Sequence, residues 1–193
     1  MDVSIGELPP QRWPEAGAMA GRAFWREDYY RVLSEDPIER YAIVQDIYLR
    51  MNDPTPVWRT VAAFAGDHVV GIACVDGPGA CYFCSLEPGR RDHADRAAEV
   101  LYGVSLSIKE LHAGLPLHAN VGPIAVEPTL QGRGIGRRLV GAAYEVGASA
   151  GPATVSLDCD PRLVGFYEAC GFRQVATTTD PYGFEIVGLR RDP

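Results

Sequence analysis

The chain has 193 residues, of which 47% are hydrophobic and 22% are charged, a composition typical of one globular domain. Its formal net charge of -7 argues against nucleic acid as the main partner, because binding phosphates requires a cationic face. No apolar run approaches the roughly 20 residues that span a bilayer, and no signal peptide is evident, so we expect a cytoplasmic protein without a membrane partner.

Two helices are predicted near the start of the chain. Residues 14–24 alternate small and apolar side chains. A second helix begins after Asp36, which can cap it, with Pro37 at the first helical position and Glu39 completing a capping box. This helix ends near Asn52, before two prolines. The residues on its predicted apolar face are Tyr41, Val44, Tyr48 and Met51.

The middle of the chain is predicted to hold a β-hairpin and a long helix. Residues 58–64 and 69–75 are predicted strands, joined by a turn at residues 65–68. The stretch over residues 76–91 is rich in glycine and proline and is predicted to be a loop. Helical periodicity returns over residues 93–112.

The last third of the chain alternates strands and helices. The strand predicted over His118–Val126 is interrupted by Gly122-Pro123, which implies a bulge or an edge because proline cannot donate to a central ladder. The elements predicted after it are a helix to Ala148, a strand at 153–157, a helix at 163–170 and strands at 172–178 and 184–189. We therefore predict an α/β fold, a mixed sheet with helices on its faces, in one domain over residues 1–193.

The five cysteines are expected to be free thiols, because their number is odd and no export signal is evident. Cys81 and Cys84 have the C-x-x-C spacing of half a metal site. No second pair follows, and His93 is the only histidine nearby in the sequence, whereas tetrahedral zinc needs four ligands. We therefore expect no metal, and two small buried residues at these positions.

The most informative stretch is a strand, a glycine-rich loop and a helix over residues 124–139. The loop's three glycines let successive backbone N–H groups turn toward one point, and the helix adds free amides and the positive end of its dipole. The spacing differs from the G-x-G-x-x-G dinucleotide loop, and the Lys-Ser/Thr pair of a P-loop is absent. Three arginines favour an anion such as a pyrophosphate: Arg133, Arg137 and Arg138.

Two segments resemble the GNAT family of acetyltransferases. Gln131-Gly132-Arg133-Gly134-Ile135-Gly136 is similar to the family's acyl-CoA loop, Q/R-x-x-G-x-G/A. The segment from Asp160 to Phe172 is similar to the family pattern N-x-x-A-x-x-F-Y-E-x-x-G-F, with Asp160 in place of Asn and Leu163 in place of Ala. Asp can accept a hydrogen bond from an amide of the pantetheine arm but cannot donate one, so this single contact departs from the family.

The resemblance implies the acyl-CoA N-acyltransferase fold, with a central, mostly antiparallel sheet in which the strands at 118–126 and 153–157 splay apart. The pantetheine arm of acetyl-CoA would lie in that gap. In architecture the resemblance covers residues 58–190, which would hold the acyl-CoA site. The residues that it places against acetyl-CoA are Ile124, Ala125, Val126, Gln131, Gly132, Arg133, Gly134, Ile135, Gly136, Asp160 and Phe166.

Tyr167 is the catalytic residue that the resemblance implies, facing the departing sulfur. A phenol has a reference pKa near 10 and a thiol one near 8.5, so Tyr167 need only donate a hydrogen bond as charge develops on sulfur. The base that accepts the proton of the amine is left open between His118, Glu127 and water, with Asn120 on the same strand face as His118.

The acceptor site would be formed by the helices within residues 1–57 and the stretch 76–91. Parts of the segment 23–49 loosely resemble the puromycin N-acetyltransferase-like branch, whose members modify an amine on a drug. We therefore predict acetylation of a small-molecule primary amine by direct attack, with a homodimer left open. Protein or peptide N-acetylation and a non-catalytic acyl-CoA sensor are the alternatives. Aromatic residues expected near the acceptor, or in the core, are Trp25, Tyr29, Tyr30 and Tyr41.

Overall fold

The computed structural model describes residues 2–51, 58–87, 96–149, 151 and 154–193. The strands among these residues are β1 (Ser4–Glu7), β2 (Trp58–Ala65), β3 (His68–Asp76), β4 (His118–Val126), β5 (Thr154–Cys159), β6 (Arg173–Thr179) and β7 (Glu185–Arg191). The helices are α1 (Trp13–Phe24), α2 (Pro37–Arg50), α3 (Tyr82–Ser85), α4 (Arg96–His112), α5 (Ile135–Ser149) and α6 (Val164–Glu168). The predicted mixed α/β fold with a mostly antiparallel sheet is confirmed.

The chain divides into two compact units, each made of two stretches. The first unit comprises Met1–Val75 and Val121–Val146, and its strands follow the order β1-β2-β3-β4. The second comprises Asp76–Asn120 and Gly147–Pro193, and its strands follow the order β4-β5-β7-β6. Strand β4 therefore contributes residues to both units.

Helices α1 and α2 pack closely in the first unit. A Cβ added at Gly17 of α1 would lie 2.6 Å from the carbonyl oxygen of Tyr48, so only glycine allows this approach. The indole Nε1 of Trp13 donates to the carbonyl oxygen of Leu49 over 3.2 Å. The amide of Gln45 donates to the carbonyl oxygen of Ala18 over 2.9 Å. The two helices are thus joined by backbone proximity and by side-chain hydrogen bonds to helix carbonyls.

Helix α5 packs on β3 and β4 within the first unit. A Cβ added at Gly71 of β3 would lie 2.8 Å from the Cδ1 of Leu139 and 3.0 Å from the carbonyl oxygen of Ala125. Leu139 and Val140 of α5 are fully buried. This packing fixes the helix whose N-terminus follows the glycine-rich loop.

The second unit contains a parallel pairing between β4 and β5. His118, Ala119 and Asn120 of β4 pair with Thr154, Val155 and Ser156 of β5. Strand β5 pairs with β7 over Val155–Cys159, and β7 pairs with β6, both antiparallel. A Cβ added at Gly188 of β7 would lie 3.4 Å from the Cβ of Leu111, which shows α4 packing directly on β7.

The start of α2 confirms the predicted cap but corrects the capping box. The carboxylate of Asp36 accepts from the amide of Ile38 over 2.8 Å. Glu39 does not reach back to the amide of Asp36; the hydroxyl of Ser34 accepts from that amide and donates to Glu39 over 2.7 Å. The hydroxyl of Ser34 thus bridges the amide of Asp36 and the carboxylate of Glu39, a contact that the capping-box pattern does not include.

Several other elements differ from the sequence predictions. The short strand β1 was not predicted, and it pairs with β2 from Ser4↔Phe64 to Glu7↔Val61. The stretch predicted as a loop from residue 76 begins with the last residue of β3 and contains the single helical turn α3. Some predicted element ends lie outside the described residues. They are the end of the second helix at residue 52, the end of the loop from residue 88, the start of the long helix at 93–95 and the start of the strand at 153.

Two further features complete the fold. The peptide bond between Gly122 and Pro123 of β4 is cis. Within the described parts of the chain, no helix combines the length and the apolar character needed to cross a membrane.

Candidate active site

The glycine-rich loop joins a short turn to the N-terminus of α5. A 3-10 turn at Pro128–Leu130 follows β4, and the side-chain amide of Gln131 donates to the carbonyl oxygen of Val126 over 3.2 Å. Gly132 and Gly134 have φ values of 75° and 79°, in the left-handed region that other residues adopt at a cost. A Cβ at either glycine would meet no atom within 4 Å, so the loop borders open space.

The N-terminus of α5 offers unpaired donors beside this loop. The first helical hydrogen bond runs from the amide of Arg138 to the carbonyl of Gly134 over 3.2 Å. The amides of Ile135, Gly136 and Arg137 therefore have no acceptor within the helix. The side chains of Arg133, Arg137 and Arg138 are exposed, and no carboxylate of the described residues pairs with them. Open amides, a helix dipole and unpaired cations fit a pyrophosphate.

Residues 124–126 of β4 lead into the loop. Ala125 is buried, and Ile124 and Val126 are half-buried. The amide of Glu127 continues the strand by donating to the carbonyl of Val70 over 2.9 Å. That a gap between β4 and β5 holds the pantetheine arm stays a prediction.

Tyr167 lies in α6 of the second unit and is buried, with 7% of its surface exposed. Its ring makes edge contacts with Phe166 and Phe172, at centroid distances of 5.0 Å and 6.4 Å. Its hydroxyl makes no hydrogen bond to any described residue. Burial, with the nearby Cys159 and Asp158, raises the pKa of Tyr167 above its usual range, so the phenol keeps its proton.

Phe166 and Asp160 flank Tyr167 in the sequence. Phe166 is 37% exposed and presents an aromatic ring to solvent. The carboxylate of Asp160 accepts from the amide of Arg162 over 2.7 Å, capping the turn at Pro161–Leu163, and pairs with the guanidinium of the same arginine. These hydrogen bonds hold the pKa of Asp160 below its usual value. Asp160 therefore caps this turn and pairs with Arg162.

The residues considered as bases are already engaged. The carboxylate of Glu127 accepts from both Nε and Nη2 of Arg22, the latter over 2.8 Å. Nδ1 of His118 donates to the carbonyl of Pro116 over 2.8 Å, and its Nε2 lies 2.9 Å from Nδ1 of His112. Asn120 is fully buried, and its Oδ1 accepts from the hydroxyl of Ser156 over 3.2 Å. Each of these three side chains therefore already makes a hydrogen bond within the protein.

Asp158 is a candidate base that sequence reasoning missed. It lies in β5, half-buried, within electrostatic range of Tyr167. Burial raises the pKa of Asp158 to about 6, which lets a carboxylate exchange a proton near neutral pH. No sequence motif marks Asp158, which directly follows the strand predicted at 153–157, because its pKa shift depends on burial in the folded protein.

The cysteine pair has histidine neighbours that the sequence did not reveal. Cys81, Cys84, His112 and His118 have their potential ligand atoms within 4.8 Å of one another. His93, the only helper identified in the sequence, lies outside the described residues. Cys81 is buried as predicted, but Cys84 is exposed, which corrects that expectation. Burial lowers the pKa of His112 to about 4.

Aromatic residues of the first unit pack mainly against each other. The hydroxyls of Tyr30 and Tyr48 are hydrogen-bonded over 2.6 Å in the core. The rings of Tyr29 and Tyr30 lie 4.7 Å apart, and the ring of Trp25 meets Tyr41 edge-on at 5.6 Å. Contact of these rings with an acceptor stays a prediction.

A surface cavity of about 390 Å³ lies in the first unit. The ion pair of Arg22 and Glu127 lies in its lining, and the residues predicted to bind acetyl-CoA do not. We assign the cavity no role in acetyl transfer. Its lining consists of Glu15, Arg22, Ala65, His68, Val69, Val70, Glu127 and Leu130.

The fold is a mixed α/β sheet in which a glycine-rich loop leads into the open N-terminus of α5. The profile of the acetyltransferase (GNAT) family matches residues 21–172, which is most of the chain. The chain therefore belongs to the GNAT family of acetyltransferases, as predicted, and its members use acetyl-CoA.

A curated relative matches a short part of the chain. Probable glucosamine 6-phosphate N-acetyltransferase 2 of Oryza sativa subsp. japonica is 40% identical over 53 residues, 28% of this chain and 32% of that protein. The chain thus matches about a third of the length of this curated relative.

Two solved structures show the fold over whole chains. A mutant agmatine N-acetyltransferase in its apo form has a TM-score of 0.72 at 14% identity and covers 100% of both chains. A Bacillus subtilis acetyltransferase in complex with CoA has a TM-score of 0.54 at 17% identity, covering 99% of this chain and 97% of that one. At these identities the likeness establishes the fold.

Proposed function

We propose that this protein transfers an acetyl group from acetyl-CoA to a primary amine of a small molecule by direct attack. The observation that carries the proposal is the loop Gln131–Gly136, with two left-handed glycines at an open helix N-terminus. Relatives named for agmatine and for glucosamine 6-phosphate acetylate small amines, which supports the acceptor class.

The loop holds the pyrophosphate of acetyl-CoA in this proposal. The amides of Ile135, Gly136 and Arg137 donate to phosphate oxygens, and the unpaired cations of the loop and of α5 neutralise their charge. Residues Ile124, Ala125 and Val126 hold the pantetheine arm through backbone groups. Asp160 and Phe166 complete the set of residues assigned to the cofactor.

The second unit supplies the proton chemistry. Acetyl-CoA supplies a thioester; the new bond joins nitrogen to the carbonyl carbon, the carbon–sulfur bond breaks, and the amine loses one proton. Tyr167 donates a hydrogen bond to the departing sulfur through its hydroxyl, which makes no hydrogen bond to any described residue. Asp158 accepts the proton from the amine, directly or through water, because its pKa of about 6 leaves it largely ionised at neutral pH.

One assay distinguishes three functions: small-molecule acetylation, peptide acetylation and acyl-CoA sensing. Thiol release from acetyl-CoA would be followed with agmatine, glucosamine 6-phosphate and a phenyl-bearing primary amine, in parallel with a basic peptide that has a free N-terminus and a lysine. Turnover with a small amine and none with the peptide supports the proposal. Turnover with the peptide alone contradicts the acceptor class, and acetyl-CoA binding without any turnover supports a sensor.

Two further assignments are part of the proposal. The free thiols of all five cysteines support a reducing compartment, and we place the protein in the cytoplasm. We also retain the assignment of residues 1–193 to one functional domain, with residues 1–57 contributing to acceptor binding.

A further inference from the structure

Four side chains with metal-ligating atoms converge in the second unit, apart from the residues assigned to acetyl transfer. The Sγ of Cys81 lies 3.3 Å from the Nδ1 of His112, and the Sγ of Cys84 lies 3.8 Å from the Nε2 of His118. The two histidine nitrogens are 2.9 Å apart, and all four atoms lie within 4.8 Å of one another. Cys81, His112 and His118 are at most 5% exposed.

These distances approach those of a tetrahedral zinc site. With bonds of about 2.1 Å to nitrogen and 2.3 Å to sulfur, neighbouring ligand atoms lie roughly 3.3–3.8 Å apart. Both sulfur–nitrogen distances fall in this range. The two histidine nitrogens are closer, at hydrogen-bond distance, so zinc would need them to separate by a few tenths of an ångström.

The ligands are carried by ends of regular elements. Cys81 directly precedes α3 and Cys84 lies within it, whereas His112 is the last residue of α4 and His118 the first of β4. The spacings are C-x₂-C and H-x₅-H, both within the ranges found in structural zinc sites. This combination of spacing and convergence is far more specific than the cysteine pair alone.

Hydrogen bonds around the cluster aim its ligands inward. Nδ1 of His118 donates to the carbonyl of Pro116 over 2.8 Å, which leaves the lone pair of Nε2 directed toward the other three ligand atoms. Metal-binding histidines usually have such a partner on the second nitrogen. The carboxylate of the buried Asp76 accepts from the amide of Tyr82 over 2.9 Å and so fixes the turn between the two cysteines.

We propose that Cys81, Cys84, His112 and His118 bind one zinc ion with a structural role. Two thiolates and two neutral imidazoles balance the charge of Zn²⁺, and each thiol releases its proton to solvent on binding. Four protein ligands close the tetrahedron, which is the arrangement of structural rather than catalytic sites. The exposed Cys84 gives the ion a path from solvent. The ion would join α3, the end of α4 and the start of β4.

The first test is the metal content of the full-length protein, expressed with added zinc and purified under reducing conditions without chelator. Elemental analysis should find about one zinc ion per chain. After removal of zinc, Co²⁺ should restore the site with the intense visible absorption of tetrahedral coordination and the near-ultraviolet band of thiolate ligands. No zinc in the purified protein and no uptake of Zn²⁺ or Co²⁺ by the reduced protein would overturn the proposal, as would stoichiometric occupancy by a different metal.

A matched pair of cysteine variants assigns the ligands. Cys84→Ser removes an exposed ligand, and Cys170→Ser removes a thiol of the same unit outside the cluster. Cys84→Ser should weaken zinc binding by more than the roughly 10- to 100-fold that loss of an outer partner costs. It should also lower the intensity of the thiolate band of the Co²⁺ form, because only the Cys81 thiolate remains. Cys170→Ser should bind zinc like wild type. Equal affinities for both variants and wild type contradict the assignment.

A chemical readout on the wild type guards against misfolding of a variant. Bound zinc should protect two thiols from alkylation until a strong chelator is added, and peptide mass spectrometry should locate them at Cys81 and Cys84. Alkylation of both residues at the same rate with and without chelator contradicts the proposal. A disulfide between them in zinc-supplied protein contradicts it as well, and indicates a redox pair.

Discussion

Replacing Tyr167 by phenylalanine separates catalysis from folding. The substitution removes only the hydroxyl and keeps the ring that packs against Phe166 and Phe172. Because that hydroxyl has no hydrogen-bond partner among the described residues, the free energy of unfolding should stay the same or rise slightly. The ring remains in place for any contact with bound acetyl-CoA, so the KM for acetyl-CoA should change little.

The expected catalytic loss is much larger than the change in stability. A positioned proton or hydrogen-bond donor contributes typically about 10²- to 10⁴-fold to the rate, which corresponds to roughly 3–5 kcal/mol in the barrier. The assay is thiol release from acetyl-CoA with the best amine of the panel, with kcat and KM measured separately. Urea unfolding of the same samples gives the stability.

Tyr48→Phe is the matched control, because it also removes a buried hydroxyl. The hydroxyl of Tyr48 is hydrogen-bonded to that of Tyr30 over 2.6 Å, so its loss should cost about 1–3 kcal/mol of unfolding free energy. Tyr167→Phe should therefore lose rate but not stability, whereas Tyr48→Phe should lose stability. A Tyr167→Phe enzyme that turns over as fast as wild type would refute the role of Tyr167 as donor.

Three more predictions concern a base, a helix contact and a cap. The kcat of wild type should fall as pH drops through about 6, because protonated Asp158 cannot accept a proton. This loss of kcat at low pH should be absent in Asp158→Asn, and an unchanged pH profile in that variant would contradict the assignment. In urea unfolding, Gly17→Ala should lower the free energy of unfolding by about 1–3 kcal/mol, since its Cβ would lie 2.6 Å from a carbonyl oxygen. Gly141→Ala is the control, because its Cβ would have no atom within 4 Å, and it should be neutral or stabilising. Equal effects of the two substitutions would contradict the packing. Asp36→Ala should cost about 1 kcal/mol through loss of the N-cap of α2, measured in the same way, and an unchanged stability would deny the cap a role.

The sequence allowed most elements to be predicted where the signal is local. Hydrophobic periodicity and turn chemistry located β2, β3, β4 and α5 to within about two residues. The capping motif at Asp36 located the start of α2. The strand β1 was missed because four residues carry too little periodicity, and its pairing with β2 is a long-range contact.

Side-chain roles that depend on long-range contacts could not be predicted. Cys81 meets a histidine 31 positions away, and Cys84 meets one 34 positions away, so no spacing motif joined them in advance. His118 was considered a candidate base because of its reference pKa, but the fold occupies both of its nitrogens. Asp158 became a candidate only once its burial was known, since desolvation rather than residue type sets its pKa.

The most direct test of the central claim is calorimetric titration of the protein with acetyl-CoA. Wild type should bind in the roughly micromolar range, and Gly134→Glu should abolish binding by placing a carboxylate at the phosphate site. Gly66→Glu is the control, because it imposes a side chain on another left-handed glycine with open surroundings, in the β2–β3 turn, and it should bind like wild type. Folded wild type that does not bind acetyl-CoA, or Gly134→Glu that binds it as tightly as Gly66→Glu, would contradict the assignment of the loop.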